Sequence, residues 1–230
     1  MRKKKVQESR MKHIVVDLEM NPVDRTLREV RKKLNEEIIE IGAVRLGADF
    51  RQEDTFQCYV RPQYGSIKAH IAQLTGITEE KVAGQPHYAE RFARFVDWIG
   101  EEETRIYSWS LSDIKQLRSE CRYKLPGFDV KWLDTRWVDL QQQFDDRLGL
   151  HHSLALKHAL GAMNRSFEGT QHTALADAIN TSAILALMQD EKKFKKTMQP
   201  VLDLLQPKEV LASSIGDLCP ELLELRKNLS

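Results

Sequence analysis

His13-Ile-Val-Val-Asp-Leu-Glu19 is a short, apolar, β-branched run that carries two acids. That composition predicts a buried β-strand. Asp17 and Glu19 are two residues apart. Side chains alternate along a strand, so both carboxylates face the same side. Two carboxylates on an apolar strand repel each other and are costly to bury. They need a positive partner, either a basic side chain or a metal ion. On spacing alone the pair also reads as a strand end whose acids meet water.

Working outward, Glu37–Leu46 (EIIEIGAVRL) and Asp54–Val60 (DTFQCYV) read as the next two strands, joined as a hairpin around Gly47 and Asp49. Residues 22–36 read as a charged helix or lip, and 64–85 as short helical pieces around HIAQLTGI. In 87–100, Phe92, Phe95, Val96 and Ile99 fall on one stripe with Gly100 at its end, which predicts an amphipathic helix. Residues 104–109 predict a fourth strand, 111–125 a helix capped by Ser112, and 131–140 a fifth strand running into a helix. Helices around 153–162 and 173–188 follow. Strands first, then strands alternating with helices, give an α/β fold with a mixed sheet.

The chain has 230 residues, 35 basic and 34 acidic side chains, and 41% hydrophobic content. That supports one core-bearing domain and excludes a polycation that binds by charge alone. No run of about 18 apolar residues predicts a transmembrane helix, and the basic N-terminus is not followed by a signal-type stretch. Cys58, Cys121 and Cys219 are scattered, which argues for a reducing cytoplasm rather than a disulfide framework. The organisation expected is a flexible basic start at 1–11, a domain at 12–188 and a helical extension at 189–230. Pro200, Pro207 and Pro220 punctuate that extension, and Leu218, Leu222, Leu225 and Leu229 share one helical face. This face is expected to dock on the domain, on a protein partner or on a second copy.

Two further pieces bear on the acids. Asp113 lies in the first turn of the helix after the fourth strand, where an acid also simply complements the helix dipole. His172 and Asp177 are five residues apart, about 500° on a helix, and would not share a face. They converge only where His172 sits in the loop before the helix, and Gly169 and Thr170 suit such a loop. The chemistry that uses these residue types is phosphodiester hydrolysis. Mg²⁺ and Mn²⁺ prefer hard oxygen ligands, a pair of ions can hold both the attacking and the leaving oxygen, and a histidine can accept the proton of the attacking water.

The order Asp-x-Glu, Asp, His-x4-Asp resembles the DEDDh (DnaQ-like) family of 3′-to-5′ exonucleases, which have a ribonuclease H-like fold. EIIEIGAV (37–44), LTGIT (74–78), YSWSLSDIKQLRSEC (107–121) and EGTQHTALADAIN (168–180) are similar to that family's motifs, in the branch that includes the enhanced-RNAi exonucleases and KapD-like proteins. The resemblance spans about residues 12–188. It implies a five-stranded mixed sheet flanked by helices. It makes Asp17, Glu19, Asp113 and Asp177 ligands of two divalent ions, Mg²⁺ or Mn²⁺, and His172 the general base. It puts Met20 by the terminal nucleotide, Leu74 and Ile77 as an apolar wedge, and Trp109 in the pocket wall. Without it, Leu74, Ile77 and Trp109 read as core residues.

The chain departs from the pattern at Met20, where Thr or Ser is frequent, at Ser110 in place of glycine, and at Ala176 in place of a second acid. None of these removes a ligand. The implied substrate is a single strand with a free 3′ end, RNA ahead of DNA, giving 5′-mononucleotides. Arg25, Arg28, Arg31, Lys32 and Lys33, with Lys115, Arg118 and Arg122 opposite, are the basic edge available for its backbone. A DNA-directed proofreading or repair enzyme and a catalytically idle binding module are the alternatives. The latter would have lost an acid or the histidine, and none is missing.

Overall fold

The computed structural model describes residues 11–205. Five strands, β1 (Lys12–Pro22), β2 (Glu36–Leu46), β3 (Gln52–Tyr59), β4 (Thr104–Ser108) and β5 (Trp137–Asp139), form one sheet in the order β3-β2-β1-β4-β5. β1, β2 and β3 are antiparallel neighbours, whereas β4 runs parallel to β1 and β5 parallel to β4. The helices in chain order are α1 (Arg28–Arg31), α2 (Ala69–Thr75), α3 (Glu79–Ala83), α4 (Tyr88–Ile99), α5 (Ser112–Lys124), α6 (Lys131–Asp134), α7 (Leu140–Leu148), α8 (Leu156–Ala162), α9 (Ala174–Gln189) and α10 (Glu191–Leu205). This is the ribonuclease H-like mixed α/β architecture expected from the sequence.

The alternation of β1 sends its apolar residues to two cores. Ile14, Val16 and Leu18 pack with Phe92, Phe95 and Ile99 of α4 and with Ile114, Leu117 and Cys121 of α5. Val15 packs on the other face with Val44, Leu140 and Phe144 of α7, and Ala178, Ile184 and Leu185 of α9. The sheet is therefore covered by helices on both sides, which is why β1 and β2 read as nearly continuous apolar runs.

Several expectations need correction. Within 131–140 the fifth strand does run into a helix, α7, at Leu140, but it is shorter than expected. Lys131–Asp134 is a helical turn, its start held by Lys131 N–H donating to Asp129 Oδ1 at 2.9 Å, and only Trp137–Asp139 pair with β4. Ser112 does not cap α5. It is the first helical residue, and its N–H donates to Ser110 Oγ at 3.3 Å. The segment 22–36 holds only the four-residue α1. Pro200 lies inside α10 rather than ending it. Phe194 and Met198 of α10 are buried in the second core, so this helix packs on the domain. The leucine face at 218–229 lies outside the described residues. Among the described residues, no helix is long and apolar enough to cross a membrane.

Candidate active site

β1 and β4 are paired only from Lys12 with Thr104 to Val15 with Tyr107. Beyond that the pairing stops, leaving a gap between the C-terminal ends of the two strands, the place where open α/β sheets commonly bind ligands. The backbone N–H of Leu18 faces this gap and donates to Asp113 Oδ1 at 3.0 Å. Asp113, buried in the first turn of α5, is thereby drawn against β1 beside Asp17 and Glu19. Ser112 Oγ donates to its second oxygen at 3.3 Å.

The neighbouring strand brings the last pair of residues. Asp17 lies opposite Gly42, and Glu19 opposite Glu40. A Cβ at Gly42 would fall 2.2 Å from both the Ala174 carbonyl carbon and the Leu175 nitrogen. Only glycine lets the N-terminus of α9 rest directly on the strand at this point. Glu40 is fully buried there. Its Oε2 accepts from Ala174 N–H at 3.1 Å, and its Oε1 accepts from Gln57 Nε2 at 2.6 Å. Thr173, at the N-cap position of α9, makes no side-chain cap bond. Glu40 satisfies one of the free N–H groups of that helix end instead.

His172 occupies the turn before α9 with a φ of 61°. Its backbone N–H donates to Asp177 Oδ2 at 2.9 Å. Donor atoms of Glu19, His172 and Asp177 all lie within 4.8 Å of one another. The loop is fixed from behind by buried Asn180, which accepts from Glu168 N–H at 3.0 Å and donates to Glu168 O and Ala176 O at 2.8 Å. Gly169 turns the loop at a φ of 84°, a conformation that favours glycine.

Charge is the dominant property of this cluster. Burial, then the carboxylates of Asp113, Asp177, Glu19 and Glu40, hold the Asp17 carboxyl well above its ordinary range. Burial and the same neighbourhood push Glu19 to about 8. Burial raises Asp113 to about 7, although the N–H groups of its own residue and of Leu18 pull it down. Asp177 rises to about 6 through burial, opposed by the imidazole of His172. Among the described residues, no lysine or arginine forms a salt bridge with any of these four acids. A crowd of hard oxygen donors with one imidazole and no salt-bridged cation fits divalent cations of the Mg²⁺ or Mn²⁺ type.

The residues expected at the nucleotide separate into two groups. Leu74, at the end of α2, is 50% exposed, and Met20 is half-buried just past the β1 bulge at Glu19. Ile77 is 1% exposed and packs with Ile39 and Val82. Trp109 is a core residue too, 5.7 Å from the Phe144 ring, with Nε1 donating to Leu154 O at 3.0 Å. Of the two readings open for these residues, Ile77 and Trp109 take the core one. Glu40, Gly42 and Asn180 were not singled out from the sequence. Glu40 carried the same signal as Asp17, an acid inside an apolar strand.

Comparison with known proteins agrees with this geometry. The RNase T family model, described as an exonuclease, matches residues 14–185. The probable 3′-5′ exonuclease KapD of Bacillus subtilis is 25% identical over 165 residues, 71% of this chain and 78% of that one. Human 3′-5′ exoribonuclease 1 is 27% identical over 168 residues, 67% of this chain but 47% of that one, so the chain spans about half the length of that relative. Among solved structures, the nuclease domain of 3′hExo, a DEDDh family member bound to rAMP, superposes with a TM-score of 0.68 at 22% identity, covering 79% of this chain and 94% of the other. Acids and family match meet in one conclusion: this chain belongs to the RNase T exonuclease family.

Proposed function

We propose that the protein removes nucleotides one at a time from the free 3′ end of single-stranded RNA, giving 5′-mononucleotides. The observation that carries this reading is the gathering of Asp17, Glu19, Asp113 and Asp177 in one cluster with His172 beside them and, among the described residues, no basic side chain in a salt bridge with the acids. These four acids would hold two divalent ions, Mg²⁺ or Mn²⁺. Bound there, such ions supply Lewis acidity to the phosphate and charge stabilisation to the attacking and leaving oxygens. His172 accepts the proton of the attacking water. Asp177 fixes the turn that carries the imidazole through its bond to the His172 N–H. Leu74 offers exposed apolar surface to the terminal base, and such contact holds a base without reading its identity. Met20 flanks it. Ile77 and Trp109 support this pocket from the core.

RNA is favoured because relatives carry exoribonuclease in their names and because the similar nuclease domain was solved with rAMP. Two buried free thiols, Cys58 and Cys121, support a reducing cytoplasm as the place of action. The test is digestion of 5′-labelled RNA and DNA strands of one sequence with Mg²⁺, Mn²⁺ or chelator. The expected result is a ladder of RNA shortened stepwise from its 3′ end, a slower DNA ladder and no product in chelator. Internal cuts, or full activity in chelator, would defeat the assignment.

A further inference from the structure

Helix α5 leaves the acidic crevice at Asp113, and its outward face carries a different kind of surface. Lys115, Arg118, Ser119, Arg122 and Tyr123 line an open groove of about 450 Å³, closed on its other side by Lys33 from the segment after α1. Ser119 Oγ donates to Lys33 O at 3.4 Å and ties the two walls together. Arg118 is paired with Asp134. Among the described residues, Lys33, Lys115 and Arg122 form no ion pair, and all three are exposed. Four cations thus line one groove that has no carboxylate in its wall, in a chain whose formal net charge is only +1.

The rest of the basic edge is different. Arg25, Arg31, Lys68 and His70 line a neighbouring depression together with Asp24 and Glu36, and Lys68 is already paired with Asp24. Two carboxylates there offset most of the positive charge and weaken its attraction for a polyanion. The α5 groove also has direction. Lys115 is two residues from Asp113, and Arg122 lies seven residues further along the helix, about 10 Å at 1.5 Å per residue. The row of cations begins next to the crevice and leads away from it. Guanidinium and ammonium groups in such a row match successive backbone phosphates, and Tyr123 adds a ring on which a base can stack.

Building on the exonuclease reading, we propose that this groove holds the phosphate backbone of the RNA strand upstream of the nucleotide being removed. Lys115, Arg122 and Lys33 are its contacts. The groove runs away from the acids toward Arg122, so it sets affinity for long strands far more than for the shortest ones.

The test uses the full chain and the double variant Lys115→Ala/Arg122→Ala, whose two sites are exposed and outside the acidic crevice. Binding of a long RNA oligonucleotide is measured by fluorescence anisotropy in chelator over a range of salt. The variant is expected to bind about tenfold more weakly or worse, and its log–log salt slope to be shallower by about 1.4, the value for two lost single-strand phosphate contacts. In Mg²⁺ or Mn²⁺, KM should rise more for the long strand than for a dinucleotide, while kcat for the long strand stays as in the parent. Unchanged affinity and slope would overturn the groove assignment even with hydrolysis intact. Groove-dependent affinity for polyglutamate with none for RNA would overturn it in favour of an acidic protein partner. Groove-dependent RNA binding without hydrolysis by the parent would instead overturn only the exonuclease reading.

Discussion

The backbone N–H of His172 donates to the Asp177 carboxylate across 2.9 Å from a left-handed turn with a φ of 61°. Five residues of continuous helix would put the two side chains on different faces. The turn brings them together because His172 stands outside α9 and Asp177 stands in its first turn. The imidazole therefore depends on the turn for its place, and the turn tolerates few residue types. Asparagine adopts this backbone region more readily than most. His172→Asn should keep the fold and the melting temperature while kcat falls about 10²–10⁴-fold, the usual loss for a general base. Melting curves and single-turnover rates measured together check this. A variant that melts early would report a damaged loop, and one with full activity would remove the imidazole from the chemistry.

Gly42 is expected to be equally intolerant for a different reason. Its position opposite Asp17 is filled by the backbone of Ala174 and Leu175. Gly42→Ala must push α9 off β2, and with it the Glu40 bond to Ala174 N–H and the turn holding His172. Such overpacking costs about 1–3 kcal/mol. The variant should melt lower and hydrolyse more slowly. Parent-like values in both measurements would mean that α9 does not rest on the strand here.

These two residues also mark how far the sequence could be read. Asp17 and Glu19 were legible because two acids interrupt an apolar strand, and the family resemblance linked them to Asp113, His172 and Asp177. Glu40 and Gly42 needed the register of β2 on β1, which no linear pattern states. Leu74 and Ile77 are separated by a left-handed Gly76 with a φ of 68°. Periodicity breaks at such a residue, so the sequence could not say which of the two is buried. The edge strand β5 was overdrawn because three residues of pairing carry too little pattern to separate from the helical turn before it.

The crowding of acids should appear in the pH dependence of stability. Glu19, Asp113 and Asp177 are raised to about 8, 7 and 6 in the fold, against about 4 in an unfolded chain. Between those limits the folded chain binds more protons than the unfolded one, so its stability falls as pH rises. In chelator the melting temperature should decline from about pH 5 to about pH 8. Added Mg²⁺ or Mn²⁺ should restore more of it at the upper end, where protons no longer compete for the carboxylates. Asp17→Asn removes one ionisable carboxyl from the crowd. It should flatten the decline, melt above the parent in chelator at about pH 8, and abolish hydrolysis. A chelator curve that is flat or rises with pH would contradict the repulsion.

Leu74 and Ile77 offer the sharpest separation of surface from core. Leu74 is half exposed, so Leu74→Ala should change stability by no more than about 0.5 kcal/mol. If its side chain covers the terminal base, burial of its exposed half, worth about 0.8–1.5 kcal/mol, is lost on binding, and KM should rise by about four- to tenfold. Ile77 is buried against Ile39 and Val82, and Ile77→Ala should cost about 2–5 kcal/mol of stability. For a domain of this size that is a drop of several degrees in melting temperature, at about 2–4 °C per kcal/mol. Its KM should change only as far as loosening of α2 disturbs Leu74. A large KM effect at Ile77 without a matching fall in melting temperature would mean that Ile77 turns outward when the strand binds, and that the wedge is built from both residues.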